Sequence, residues 1–195
     1  MPVLVVAKAP RNGHSKTRLV PPLRFAQAAE LHEALLRDTV DACRAQSDDV
    51  RLLCARAEDV DPLTSLFPGI PVVMQEGAGL GDALRRGMAL HVAEGPTAIL
   101  SSDVPGLPPD AIPSAFAALQ GGADVVLGPA LDGGYWLVAM REAHEEPFRD
   151  VPWSTPAVLA VTRRRCEEAN LQLVELEVRR RAEDVPEAIE NGQGA

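Results

Sequence analysis

The chain is punctuated by short, unbroken apolar runs. PVLVVAKA (2–9), VRLLCA (50–55), IPVVMQ (70–75), TAILSSD (97–103) and DVVLGPA (124–130) are rich in Val, Ile and Leu and continuous in apolar character. A strand covered on both faces reads this way, because neither face meets water. Helix-length segments separate the runs. Segment 24–46 carries Ala28, Leu31, Leu35, Val40 and Ala42 at near-helical spacing, and segments 80–95 and 109–122 each end in glycine, a helix-stop signal. Such alternation predicts an α/β fold, with a mostly parallel central sheet, helices on both faces and right-handed crossovers.

The second half departs from strict alternation. Residues 124–140 hold two strand-like runs joined by LDGG, which predicts a β-hairpin. A helix is expected near 155–170 and a strand over 171–178, before a tail from about 179 to 195 with room for one short helix and a Gly-rich end. Within 195 residues there is no internal repeat, low-complexity segment or linker, so one domain over 1–195 is expected.

The net charge of -9 argues against a general nucleic-acid binder, since a phosphate backbone needs a basic face. No apolar run approaches membrane-spanning length, and the run at 3–7 is far too short for a signal peptide. The three cysteines, Cys43, Cys54 and Cys166, are widely spaced, without a C-x-x-C pair, and read as buried thiols in a reducing cytosol. A soluble cytoplasmic protein is therefore expected. Oligomeric state is not legible.

The basic residues needed for an anion must be local, and one loop stands out. AKAPRNGHSKTRL (7–19) follows the first strand and holds Lys8, Arg11, Lys16 and Arg18; its two lysines are the only ones among 19 basic residues. A compact ammonium meets a phosphate as a point charge in a way a guanidinium does not. The loop is not a P-loop, because the required glycines fall at Pro10 and Ser15 and Pro21-Pro22 interrupts the following helix. It reads either as a loop wrapping a nucleotide phosphate chain or as a solvated basic loop. In open α/β sheets, ligands bind beyond the carboxyl ends of the strands, where this loop lies.

Asp103, in SSDVPGLP (101–108), ends the fourth strand in the same crevice. There it would hold Mg²⁺ or Mn²⁺, ions that take one or two carboxylates plus phosphate oxygens, or it caps the turn before Pro105. QEGAGLGDAL (75–84) places Gly77, Gly79 and Gly81 before a helix, where they admit a base or sugar or make a tight turn. In GPALDGGYW (128–136), Asp132-Gly133 suits a plain hairpin turn, yet Gly134, Tyr135 and Trp136 beside Asp132 also suit a sugar or other polyol acceptor. Trp153 is a further wall or a core anchor. His32 and His91 read as structural, and His14 lies in the basic loop; His144 has no metal-site spacing to another histidine.

These motifs, in this order, resemble a bacterial family of GT-A-like transferases that carries a glycosyltransferase label, within the nucleotide-diphospho-sugar transferase superfamily. The first loop also resembles phospholactate guanylyltransferase and, more distantly, the molybdenum-cofactor guanylyltransferases. The resemblance covers residues 2 to 178 and implies a Rossmann-like GT-A domain. It implies that Ala7, Lys8, Ala9, Gly13, Lys16 and Arg18 hold base and phosphates, that Gln75, Gly79 and Gly81 help bind the nucleotide, and that Asp103 binds the metal. Family members close with a D-V-D-T-like segment, whereas this chain reads RRAEDVPEAIE, so either Asp184 or Asp132 supplies the second metal contact or metal binding is impaired. The implied reaction is metal-dependent transfer to a small-molecule acceptor. The first choice is glycosyl transfer from a nucleotide-sugar, and the alternative is nucleotidyl transfer from a nucleoside triphosphate. In both, Lys16, Arg18 and the metal would stabilise charge developing on phosphate oxygens. A non-catalytic nucleotide-binding module is the third reading, because the closing motif is altered.

Overall fold

A computed structural model describes residues 1–74 and 79–179. Among these residues, seven strands form one sheet: β1 (Val3–Ala7), β2 (Val50–Cys54), β3 (Val72–Met74), β4 (Thr97–Ser101), β5 (Val125–Pro129), β6 (Tyr135–Met140) and β7 (Leu173–Glu175). Their spatial order is β3-β2-β1-β4-β6-β5-β7, and every strand is parallel to its neighbours except β6, which runs antiparallel to both β4 and β5. The expected hairpin is present, but β6 inserts between β4 and β5. That antiparallel step puts the 130–134 connection at the same edge as the carboxyl ends of β1 and β4.

Among the described residues, five α-helices cover the sheet: α1 (Phe25–Arg44), α2 (Ala57–Leu66), α3 (Leu80–His91), α4 (Ala111–Gln120) and α5 (Val158–Glu168). Alternate side chains of each strand divide between two cores. Val3, Val5, Leu52, Cys54 and Leu100 pack with Leu36, Val40 and Cys43 of α1, Leu63 of α2 and Ile112, Phe116 and Leu119 of α4. Leu4, Leu53, Ile99, Leu127 and Val138 pack on the other face with Leu84 and Met88 of α3 and Val158, Leu159 and Cys166 of α5. Both faces are therefore dry, which is why the strands read as continuous apolar runs. This is the Rossmann-like GT-A arrangement expected from the sequence.

Some boundaries differ. The strand expected over 171–178 is shorter: Leu173–Glu175 pairs in parallel with β5, and Val174 is exposed. Helix α2 falls in a segment the sequence left unassigned, and Pro62 inside it explains why. Proline cannot donate to the carbonyl four residues back, so Glu58 O loses its helical partner. Arg11 fills that role: its guanidinium donates to Glu58 O at 2.6 Å. It also meets Asp59 Oδ1 at 2.8 Å, a carboxylate with only 4% of its side chain exposed.

Candidate active site

The strand order reverses at β1. The chain proceeds outward through β2 and β3, then returns to place β4 on the other flank of β1. Helices from the two halves diverge at such a point and leave a crevice beyond the carboxyl ends of the two central strands. A cavity of about 760 Å³ lies there. Ala7 and Lys8 leave β1 into it, Ser101, Ser102 and Asp103 leave β4 into it, and Lys16, Thr17 and Arg18 return to it. The connection before β6 contributes Asp132 and Gly134, and Tyr135 begins the strand. Gly79 comes from the start of α3 and Trp153 from the segment before α5.

Lys16 and Asp103 are joined across this cavity. The ammonium Nζ lies 3.0 Å from Asp103 Oδ2, with 5% of the lysine side chain and 18% of the aspartate side chain exposed. The Ser101 hydroxyl donates to the other carboxylate oxygen, Oδ1, so both oxygens are engaged. Lys16 itself has φ 47 and ψ 40, a left-handed conformation that a side chain with a Cβ seldom adopts. The loop holds it there partly through Ser15, whose buried Oγ accepts from the Arg11 N–H at 2.9 Å. The Arg11 guanidinium is committed to Glu58 and Asp59 and does not line the cavity, whereas Lys8, Lys16 and Arg18 of the same loop do.

His32, on the face of α1 that meets β1, has a role the sequence did not disclose. It is 2% exposed and lines the cavity, and its Nε2 is 3.1 Å from the Lys8 carbonyl oxygen. A carbonyl only accepts, so Nε2 carries the proton and Nδ1 is the bare nitrogen. Burial is the largest cause pushing its pKa below the ordinary histidine value, and the positive charges of Lys16 and Lys8 act in the same direction. The imidazole therefore stays neutral at neutral pH and pins the backbone where β1 gives way to the loop.

The aromatic residues separate. Tyr135 and Trp136 are neighbours on β6 and so point to opposite faces. Trp136 is 2% exposed and joins the core with α1, α2 and α4, whereas Tyr135 packs on the α3 and α5 side. Tyr135 meets Trp153 edge to face, with ring centroids 6.1 Å apart. Trp153 in turn lies against the first turn of α3 at Gly81: a Cβ there would sit 2.1 Å from the indole Nε1. Gly81 lies outside the cavity lining, and the space it vacates is taken by the indole. Gly133 makes a similar close approach, at φ +81, where a Cβ would fall 2.1 Å from the Pro156 carbonyl oxygen. The Asp132 carboxylate accepts from Gly134 N–H at 2.9 Å and shapes the turn as well as facing the cavity.

Of the residues expected at the site, Ala7, Lys8, Lys16, Arg18, Gly79, Asp103, Asp132, Gly134, Tyr135 and Trp153 line the one cavity, while Ala9, Gly13 and Gly81 do not. Gln75 and Asp184 fall outside the described residues. Among the described residues there is no cluster of three or more His, Cys, Asp or Glu side chains able to hold a metal ion. No described helix is long and apolar enough to cross a membrane.

The whole chain superimposes on a Desulfovibrio desulfuricans G20 protein described as a "putative nucleotide-diphospho-sugar transferase", with a TM-score of 0.89, 22% identity and 90% of that chain covered. CMP:2-keto-3-deoxy-manno-octonic acid synthetase, in complex with CTP, has a TM-score of 0.58 at 13% identity, covering 97% of this chain and 95% of that one. Glucosyl-3-phosphoglycerate synthase from Mycobacterium tuberculosis, in complex with Mg²⁺ and uridine-diphosphate, has a TM-score of 0.53 at 12% identity, covering 92% and 68%. These likenesses establish a shared fold. A comparison with curated proteins finds no match. Residues 39–155 match the family described as an uncharacterized protein conserved in bacteria, DUF2064, and the chain belongs to that family.

Proposed function

We propose that the protein is a transferase that binds a nucleotide-activated donor in the cavity between β1 and β4, and that it transfers a glycosyl group from a nucleotide-sugar to a small acceptor. The observation that carries this reading is the convergence of Lys8, Lys16 and Arg18 on one cavity at the switch point of the sheet, with Lys16 paired to the Asp103 carboxylate. In a protein of net charge -9, three cations gathered in one crevice suit an anionic ligand.

Asp103 and Asp132 offer hard carboxylate oxygens along the cavity, which suits Mg²⁺ or Mn²⁺. Two carboxylates fall short of a dedicated protein cage, so phosphate oxygens of the donor would complete the coordination. Such an ion, when bound, supplies Lewis-acid stabilisation of phosphate charge. Lys16 and Arg18 bind and orient the phosphates and stabilise the departing diphosphate. Lys8, fixed through its carbonyl by His32, lies at the strand end where base or ribose would rest. Tyr135 and Trp153 form an apolar wall with Asp132 beside it, an arrangement that suits stacking and hydrogen bonding of a sugar. The chain 1–195 acts in this reading as one domain of a cytoplasmic protein.

Nucleotidyl transfer from a nucleoside triphosphate is the second reading, favoured by the presence of three loop cations rather than one or two. Thermal unfolding against a panel of nucleoside triphosphates and nucleotide-sugars, with and without Mn²⁺, separates the two, because a ligand bound to the native state raises the melting temperature by mass action. Metal-dependent stabilisation by nucleotide-sugars alone is the expected result. Stabilisation by triphosphates alone would replace glycosyl with nucleotidyl transfer, and stabilisation by both without any transfer product would mark a binding module.

A further inference from the structure

The Lys16–Asp103 contact joins the group proposed to meet phosphate to the group proposed to meet metal. We infer that these two side chains hold each other closed, so that the cavity discriminates against a bare divalent cation and against metal-free phosphate and admits the two together. The inference rests on the nucleotide-and-metal reading above.

Both Asp103 oxygens are already engaged, Oδ2 by Lys16 at 3.0 Å and Oδ1 by the Ser101 hydroxyl. A divalent cation arriving alone meets a carboxylate whose charge is neutralised by a mostly buried ammonium. Drawing Asp103 away leaves that ammonium without the carboxylate's charge and beside a new dication, both in a region largely shielded from water. A phosphate arriving alone meets the mirror situation, because taking Lys16 withdraws its charge from the Asp103 carboxylate and brings an anion beside it. Breaking a shielded ion pair from one side is costly for this reason. When cation and phosphate enter together, one ion pair is exchanged for two, and every charge keeps a counter-charge. Binding of each ligand is then favoured by the other, and reciprocally so. The left-handed backbone at Lys16 fits a side chain held in place by the site rather than one drifting in solvent.

The test uses probes without a base or sugar. Mn²⁺ binding is measured alone, by the electron paramagnetic resonance signal of the free ion. Inorganic pyrophosphate binding is measured by calorimetry in the presence of a chelator. Lys16→Met removes the charge that competes for Asp103, so Mn²⁺ alone is expected to bind about tenfold tighter than to the wild-type protein. Asp103→Asn removes the charge that competes for Lys16, so metal-free pyrophosphate is expected to bind about tenfold tighter. Should Lys16→Met not fold, Lys16→Gly removes the same charge and suits the left-handed backbone. Two groups that merely add their contributions give no gain, or a loss, in either variant, and that result overturns the inference while leaving the nucleotide reading in place. No Mn²⁺ or pyrophosphate binding to any of these proteins, together or apart, overturns that reading and the inference with it.

Discussion

Lys16 and Asp103 are 87 positions apart in the chain, yet the ammonium and a carboxylate oxygen meet at 3.0 Å because β1 and β4 are neighbours in the sheet. Val6 pairs with Ser101 across those strands, so the segments that follow emerge side by side. The candidate site is in this sense a product of topology, with each half of the fold supplying one charge.

Arg11 and Arg18 lie in the same loop, but their tasks are expected to differ. Arg11→Met leaves the buried Asp59 carboxylate and the Glu58 carbonyl without their partner, which should cost about 1–2 kcal/mol of stability after allowing for the guanidinium's partial exposure. Its effect on pyrophosphate affinity should be small. Arg18→Met should do the reverse, weakening pyrophosphate binding several-fold with little change in chemical denaturation. Chemical denaturation and calorimetry on both variants check the pair; equal effects on binding would show that Arg11 also serves the ligand.

Gly81→Ala is expected to dislodge Trp153, since the new methyl would fall 2.1 Å from the indole Nε1. Overpacking of this kind costs about 1–3 kcal/mol. In a Trp136→Phe background, Trp153 is the sole indole, and its emission should shift to the red as the ring leaves Tyr135 for solvent. An unchanged spectrum and stability would mean that Gly81 has no part in seating the ring.

The buried His32 sets a pH dependence of stability. Its pKa is lowered in the folded protein, chiefly by burial, while the unfolded value is about 6.5. Between those two values the unfolded chain binds a proton that the native state does not, so stability falls as pH drops below about 6.5 and is fully present above it. His32→Gln keeps an amide donor for the Lys8 carbonyl and removes the titration. Its denaturation midpoint should lose this part of the slope between pH 7 and pH 5; an unaltered slope would assign the acid sensitivity to other groups.

The cysteines should be silent in the native state. All three are buried, and burial pushes the Cys43 thiol up to about 12 and Cys166 up to about 11, so the reactive thiolate is scarce at neutral pH. A thiol reagent should label the protein only at the rate of unfolding, and all three positions should react in denaturant. Rapid labelling of Cys43 in buffer would contradict the packing of α1 on the sheet.

Much of this fold is legible in the sequence because its strands are buried on both faces. Continuous apolar runs mark β1, β2, β4 and β5, and the glycines at 95 and 122 end the segments that hold α3 and α4. Helix α2 is harder to read, since Pro62 argues locally against a helix and the compensating contact comes from Arg11, 47 positions away from the carbonyl it serves. The candidate cavity is legible where charge is unusual for the chain, at Lys8, Lys16 and Asp103, all of which line it. It was not legible at His32 and Ser101, whose types carry no signal until α1 meets β1 and Ser101 is seen to brace Asp103. The adjacent Tyr135 and Trp136 suggested one aromatic wall; both residues border the cavity, but strand alternation packs Trp136 into the core on the opposite face of the sheet, and Trp153 is the ring that meets Tyr135.

The most direct measurement is a crystal structure with Mn²⁺ and a nucleoside diphosphate, using the anomalous signal of the metal. The expected result is Mn²⁺ in direct contact with Asp103, at about 2.1 Å as for hard divalent ions of this size, with Lys16 moved onto a phosphate oxygen. A nucleotide bound elsewhere, or Mn²⁺ remote from Asp103 with the Lys16 contact intact, would contradict the assignment of this cavity as the donor site.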